Sequence, residues 1–315
     1  MKKHLNILNT VAEYQEYSAS TAYSKPNVTY VRENKVLYYD YGDNKPQVDL
    51  SDFKVESEET SVGGDKYGKK AITKVHYIPN GITRLGNDFE GFTSLEEVTC
   101  KIPDSVTEMG GTFQTCSSLV TAPDIPSGVT KMAYVFDRCT SLVTAPELPN
   151  SLEDMTYTFF GCKSIVNAPE IPNSVTKMYR TFSECTSLVN VPYISSGVTN
   201  MFETFFYCTS LVNVSNISSV VTNMKSTFYK CSSLVSSLEI PNSVTNMENT
   251  FNGCTSIKEV TFLHTTPQTY SNTLYGCSSL ETIYVPDSAL EDYRTATNWS
   301  QFADKFKPLS SKPSE

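Results

Sequence analysis

Histidine is scarce in this chain. His4, His76 and His264 are scattered over 315 residues with no repeated partner beside them. A base needs a partner that orients it, so imidazole catalysis has no foundation here, and each histidine is read as a surface or edge residue. The sequence contains no phosphate-binding glycine loop, no Cys-x-x-Cys pair and no cluster with metal-ligand spacing. Those absences point away from an enzyme and from any cofactor or metal. No 18-residue apolar stretch occurs, so no membrane insertion is expected. Basic runs are missing as well. With a net charge of -9 the chain is unsuited to nucleic acid, whose phosphates call for a basic face. The start, Met1 to Thr10, is basic, but it reaches Glu13 and Glu16 without an apolar core, so no signal peptide is expected.

Cysteine, by contrast, is present in a pattern. Cys116, Cys139, Cys162, Cys185, Cys208, Cys231, Cys254 and Cys277 follow one another at a fixed interval of 23 residues, and Cys100 lies off the series, read as a strand residue. A fixed period in this range marks a solenoid in which each repeat is one coil. Equivalent residues of stacked coils lie ~4.8 Å apart, so each cysteine has two equal neighbours and no unique disulfide partner. A buried file of reduced thiols is expected.

Other columns run in phase with the cysteines. Leu119, Leu142, Ile165, Leu188, Leu211, Leu234, Ile257 and Leu280 come three residues after them. A small or branched residue (Ala122, Ala145, Ala168, Val191, Val214, Ser237, Val260) and an aliphatic one (Ile125, Leu148, Ile171, Ile194, Ile217, Ile240) continue the inner surface. Proline then stops the strand at Pro126, Pro149, Pro172 and Pro241. A second extended segment leads from Val or Leu to Met109, Met132, Met155, Met178, Met201, Met224 and Met247. Phenylalanine follows each of these four residues later, from Phe113 to Phe251, and cysteine three after that. Spacing i, i+4, i+7 predicts one face of a helical turn. The methionines are read as core packing rather than a copper site, and the serines of Cys-x-Ser-Leu, such as Ser118 and Ser141, as turn residues bonding backbone.

The fold class is therefore α/β and β-rich: a leucine-rich-repeat solenoid over residues 71–286 of about nine 23-residue coils, each with two short strands and a helical turn. Its first coil, Ile72 to Phe92, carries phenylalanine in the cysteine column, and the next absorbs one extra residue near Lys101. Residues 1–70 form a β-rich N-terminal segment with a hairpin of Asn27–Val31 and Lys35–Tyr39, assigned to attachment or oligomerisation. Residues 287–307 make a helical cap, opened by a Ser288-x-x-Glu291 capping box and closed by Trp299, Phe302, Ala303 and Phe306 on one face. A disordered tail is expected over 308–315.

The pattern Ile-Pro-x-Ser-Val-Thr-x-Met-x-x-x-Phe-x-x-Cys-x-Ser-Leu resembles the BspA-like (Treponema-type) leucine-rich repeats of bacterial surface proteins. Its second half is similar to the repeat of mycoplasma surface lipoproteins. The resemblance implies a right-handed solenoid used for adhesion or protein binding, without catalysis. One departure is that many members carry an isoleucine-glycine step five residues before the phenylalanine, where this chain has methionine four before it. Leu5 to Tyr14 and Lys25 to Tyr30 resemble, more loosely, leaders of structural proteins of crAss-like gut bacteriophages. That likeness implies a virion protein displaying the solenoid for host recognition and touching other virion proteins through its N-terminal segment, whose β-rich character is compatible with assembly into a homo-oligomer, a dimer or trimer. The alternative is a bacterial cell-surface or secreted adhesin.

Two surfaces are candidates for binding a protein or a cell-surface glycan. One is an outward strand column, Asp124, Glu147, Glu170, Tyr193, Asn216, Glu239 and Phe262, flanked by Thr121, Thr144, Asn167, Asn190, Asn213 and Ser236. The other is a set of aromatics beside the turns: Tyr134, Tyr157, Phe160, Tyr179, Phe202, Phe206, Tyr207 and Tyr229. Other coils hold Asp, Ser, Lys or Gly in these columns, so the coil itself does not require rings there.

Overall fold

The computed structural model describes residues 5–8, 27–31, 36–40, 73–78, 82–191, 194–215 and 217–313. It divides into two units, Met1–Leu152 and Glu153–Glu315. The first unit opens with a five-stranded sheet in the order β1 (Leu5–Leu8), β2 (Asn27–Val31), β3 (Val36–Asp40), β4 (Lys74–Tyr77) and β5 (Glu97–Val98). Strands β2 and β3 pair antiparallel as the expected hairpin, and β3 runs parallel to β4, the first strand of the coil series. The N-terminal strands thus continue the sheet of the coils rather than standing apart from it.

The first coil is built as expected. Val75, Ile78, Ile82, Leu85, Phe89 and Phe92 are buried, whereas Ile72 and Pro79 lie outside the described residues. Thr107 Oγ1 bonds the carbonyl of Thr83, 24 residues back, whereas Thr130 Oγ1 bonds Thr107, 23 back. The extra residue of the second coil has therefore been absorbed before Thr107. Cys100 lies beyond β5 in a bend, not in a strand, half-buried with its thiol pushed up to about 11 by burial.

In both units the methionine, phenylalanine, cysteine and Leu/Ile columns read from the sequence make up the coil core. In the first, Met109, Met132, Phe113, Phe136, Cys116 and Cys139 have no solvent exposure, and Phe89, Phe113 and Phe136 stack with centroids 5.5 and 5.7 Å apart. In the second, Phe159, Phe182, Phe205, Phe228 and Phe251 stack successively at 5.4, 5.8, 5.6 and 5.5 Å. The aliphatic columns are buried at Ala168, Ile171, Val191 and Ile194 but only half-buried at Ala122, Ile125, Ala145 and Leu148. There Pro123, Pro126, Pro146 and Pro149 fill the interior instead.

The segment from methionine to cysteine is not a helical turn. Thr112, Gln114 and Cys116 donate their N–H groups three residues back, to Met109, Gly111 and Phe113. The alternate residues Gly111, Phe113 and Thr115 donate to Ala133, Val135 and Asp137 of the following coil. An α-helix would keep all of these bonds within the segment. Successive tight turns release every second amide to bond along the stack. Two residues per coil adopt the left-handed conformation to make this possible, one two residues and one six residues after the methionine. They include Gly111, Gly161, Gly253 and Gly276, but also Thr115 (φ 60°), Tyr134 (61°), Arg138 (57°) and Tyr157 (55°). Left-handed backbone costs an L-residue ~1–2 kcal/mol, and glycine's extra unfolded-state freedom returns ~0.5–1 of that. Thr115→Gly should therefore raise the unfolding free energy by ~0.5–1 kcal/mol, read as a later urea midpoint at unchanged slope. An earlier midpoint would contradict this account of the turn.

Two polar files satisfy the carbonyls inside the turns. Thr112, Thr158, Thr181, Thr204, Thr227, Thr250 and Thr273, three residues after the methionines of the column other than Met132, or after Tyr270 in the same column, are buried. Thr204 Oγ1, for example, donates to the Met178 carbonyl of the preceding coil at 2.8 Å. The thiols do the same for phenylalanine: Cys139 reaches the Phe113 carbonyl at 3.1 Å and Cys208 the Phe182 carbonyl at 3.0 Å. Cysteine is thus a core residue small enough for the column with a weak donor in the right place. All nine cysteines are free thiols. The residue directly after the cysteine forms a hydroxyl ladder from coil to coil, as in Thr140 to Ser117 and Ser232 to Thr209.

In the second unit β6 (Asn190–Val191) pairs parallel with β7 (Asn213–Val214). Strands β8 (Leu238–Ile240), β9 (Glu259–Phe262), β10 (Thr282–Val285) and β11 (Phe306–Pro308) form a parallel sheet in that order. Helix α1 (Leu290–Thr295) and short 3-10 turns close the stack. No side chain caps α1, so the expected capping box does not form; Asp287 instead accepts bonds from the N–H and hydroxyl of Ser310. The tail expected to be disordered from 308 is ordered through Ser311, and Lys312 Nζ bonds Glu239 and Thr261. Trp299 and Phe306 are buried as expected of the cap, with Phe302 and Ala303 half-buried. Among the described residues, no helix is long and apolar enough to cross a membrane.

His264 is buried, not a surface or edge residue as expected, and its Nε2–H donates to the Val244 carbonyl at 2.7 Å. Burial disfavours the charged ring and lowers its pKa from 6.5. The unfolded chain therefore takes up this proton before the folded one does. Stability should be full above roughly pH 6.5 and fall as pH drops below it, until the folded pKa is passed. In His264→Gln that slope should flatten below roughly pH 6.5 in urea titrations, and an unchanged slope would count against a buried neutral imidazole.

Candidate recognition surface

The left-handed positions and their neighbours place side chains on the outside of the turn face. In the second unit this face carries the rings picked out from the sequence, in two groups. Tyr157 meets Phe160 at 5.4 Å and Tyr179 at 5.3 Å, and Tyr179 stacks on Phe202 at 5.1 Å with planes 7° apart. Phe206 stacks on Tyr229 at 4.9 Å, and Tyr207 leans on both, at 4.7 and 5.7 Å. Phe202 and Phe206 lie on one turn segment. Phe160 is 8 % exposed, so its ring is buried and not at the surface as expected of the cluster. The other six rings are half-buried. Tyr134, in the first unit, is exposed.

Each group holds a cation. Arg180 lies over the Tyr157 and Tyr179 rings at 5.6 and 5.7 Å, donates to the Tyr157 hydroxyl at 2.9 Å and pairs with Glu203. Burial opposes its charge, but the Glu203 carboxylate outweighs that and its pKa rises. The Tyr179 hydroxyl is pushed up by burial and by its hydrogen bond with Tyr157. Lys230 donates to the Tyr207 hydroxyl at 2.8 Å and stands 4.9 Å from that ring centroid. Cation-π contacts of this kind contribute ~0.5–1 kcal/mol at exposed sites, enough to hold the charges on the rings. What results is a rigid surface of ring edges, phenol hydroxyls and positive charge on an otherwise acidic chain.

The strand column does not come together in the same way. Asp124 and Glu147 are exposed in the first unit and Glu170 in the second, while Tyr193 and Asn216 lie outside the described residues. Glu239 is held by Lys312 at 2.9 Å. Phe262 is fully buried against Trp299, with centroids 5.1 Å apart. It was expected to face outward because a constant 23-residue offset was assumed. In the structure Leu238 faces Val260 and Ile240 faces Phe262, a slip of one residue at Ser237 that turns Phe262 inward. The flanking amides do form a ladder, with Asn213 Nδ2 donating to Asn190 Oδ1 at 3.3 Å. Beside it runs a file absent from the sequence reading, valines four residues after cysteine, of which Val166 and Val235 are 42 and 49 % exposed. Its signal was the recurrence of Ser-Leu-Val at Val120, Val143, Val189, Val212 and Val235. No three His, Cys, Asp or Glu side chains are grouped to hold a metal ion among the described residues.

Several solved structures are similar to this chain. A leucine-rich repeat protein from Bacteroides ovatus is 20% identical, over 96% of this chain and 92% of that one, with a TM-score of 0.49. A leucine rich repeat protein of T. pallidum is 26% identical over 54% of this chain and 80% of that one, with a TM-score of 0.47. A leucine rich cell surface protein from Faecalibacterium prausnitzii is 20% identical over 82% and 92%, with a TM-score of 0.34. No curated protein matches. The family model described as "BspA type Leucine rich repeat region" matches in 6 copies, over residues 60–180, 133–249 and 225–297, most of the chain's length. With its coils, core columns and turn geometry in place, the chain belongs to the BspA-type leucine-rich repeat family.

Proposed function

We propose that this protein is a non-enzymatic recognition and adhesion module working at a cell surface or after secretion, and that the aromatic turn face between Tyr157 and Lys230 makes the contact. The observation that carries this reading is the half-exposed rings Tyr179, Phe202, Phe206, Tyr207 and Tyr229, stacked over consecutive coils where the core does not need them. Rings locked by stacking lose little conformational freedom on binding, and aromatics with a charged neighbour are what interface hot spots are made of. Family membership and the surface location of the F. prausnitzii protein favour the outside of a cell. The virion reading rests on residues 5–14 and 25–30 alone, and nothing in the fold of the coils adds to it.

The test is binding of labelled protein to gut bacterial and epithelial cells. Alanine at Phe202, Phe206 and Tyr207 together should abolish binding while the unfolding midpoint still shows a folded chain. Binding unchanged in that variant would rule this face out.

A further inference from the structure

The turn face continues past Tyr229 into a strip whose composition changes. Tyr207 N–H donates to the Tyr229 carbonyl at 2.8 Å, Lys230 N–H to Asn252 at 2.7 Å and Gly253 N–H to Tyr275 at 2.8 Å. Tyr229, Asn252 and Tyr275 are thus equivalent residues of three successive coils, two rings ~10 Å apart with an amide between them, at ~4.8 Å per coil. Tyr275 is 66 % exposed, the largest exposure among the exposed large hydrophobic side chains. Beside them the other file runs Tyr207, Lys230, Gly253, Gly276. A Cβ on Gly253 would come within 3.0 Å of Lys230 Cγ, and one on Gly276 within 3.5 Å of the Gly253 backbone. The two glycines, at φ 78° and 76°, therefore leave bare backbone next to the lysine. Lys230 has no carboxylate partner among the described residues; its ammonium is held only by phenol.

Resting on the recognition reading above, we propose that this strip of Tyr229, Lys230, Asn252, Gly253, Tyr275 and Gly276 binds an acidic glycan. A carboxylated pyranose has an apolar C–H face for the Tyr275 ring, hydroxyls to donate to Oδ1 of Asn252, whose Nδ2 is bonded to Asn249 Oδ1 at 3.1 Å, and a carboxylate for Lys230 Nζ. The glycine floor lets a flat ring approach the backbone. An extended peptide is served poorly, because it needs free strand-edge groups, and here the Lys230 and Gly253 amides already bond from coil to coil.

The experiment titrates the full chain with oligogalacturonate and oligosialate, with dextran as neutral sugar and polyglutamate as acidic peptide. A carboxylated oligosaccharide should bind and dextran should not. Lys230→Gln should weaken binding about tenfold, and Tyr275→Ala, at an exposed site that leaves folding intact, about fivefold. Affinity should fall as salt rises from about 0.05 to 0.5 M. Failure to bind either acidic sugar, equal binding of dextran, indifference to Lys230→Gln, or equal competition by polyglutamate would each overturn the assignment. If cell binding meanwhile stays sensitive to Phe202, Phe206 and Tyr207, the recognition reading stands without the glycan. If neither responds, both fall.

Discussion

Phe205→Ala should cost ~3–5 kcal/mol, the largest effect expected of any single substitution on the turn side of the core. Its ring has no solvent exposure and stacks on Phe182 and Phe228 with planes 6° and 4° apart. Truncation loses the transfer free energy of the ring and leaves a cavity. Three backbone bonds limit how far the site can collapse: Phe205 N–H to Thr227, Tyr207 N–H to Tyr229, and Cys208 N–H to Phe205. Each coil contacts only its neighbours, so the damage should be local before it is global. Amide exchange should accelerate first at Thr204, Phe205, Thr227 and Phe228, with the urea midpoint of the whole chain falling. A loss under about 1 kcal/mol would mean that the phenylalanine file is not the core element described here.

Trp299→Ala should destabilise the closing end by a similar ~3–5 kcal/mol. The indole meets Phe262 at 5.1 Å, Tyr293 at 5.4 Å and Phe306 at 6.3 Å, and its Nε1–H donates to the Gln268 carbonyl at 2.6 Å. Without it, Phe262 loses its cover and Phe306 a ring that holds β11 on the edge of β10, so that loosening of β11 would bare that edge. An exposed parallel edge beside bared phenylalanine is a template for association. Light scattering on warming should therefore rise earlier in Trp299→Ala than in Phe205→Ala, and the same onset in both would contradict a capping role. This is also the only tryptophan, so unfolding of the cap in the wild type can be followed by its fluorescence.

The core columns could be read from the sequence because the interval of 23 residues restricts them: a side chain repeated in phase from Cys116 to Cys277 has one place to go. The turn could not be read as easily. Met, Phe and Cys at i, i+4 and i+7 share a side both on a helix and on two consecutive turns with left-handed residues. What separates the two is the residue before the cysteine, Gly161, Gly253 or Gly276, and the second residue after the methionine column, Asn249 or Asn272, types that tolerate positive φ. Thr115, Tyr134 and Arg138 at the same positions hid that signal, since coil-to-coil bonding overrides their preference.

The candidate surface was legible to the same degree. The rings at Tyr179, Phe202, Phe206, Tyr207 and Tyr229 stood out as side chains the coil does not need, and the structure groups them. What depends on side-chain partners was not visible, such as Arg180 bridging Tyr157 and Glu203, or Lys312 reaching Glu239 from the tail. A one-residue slip such as that at Ser237 also escapes a reading that assumes constant offset, and it cost the acidic column Phe262.

All of this requires that the thiol file face inward, which puts the aromatic turn residues outside. Burial raises the Cys139, Cys208, Cys231 and Cys254 thiols well above 9.0, and Cys277, half-buried at the end, to about 12. Thiolate, the reactive form, is then scarce at neutral pH. Iodoacetamide labelling of unreduced protein, read by mass spectrometry with and without guanidinium, measures this directly. The account predicts negligible label on the buried cysteines in the folded chain and all nine labelled on unfolding. Rapid labelling of Cys185, Cys208 or Cys231 in the folded protein, or fewer than nine labels after unfolding because disulfides had formed, would contradict it.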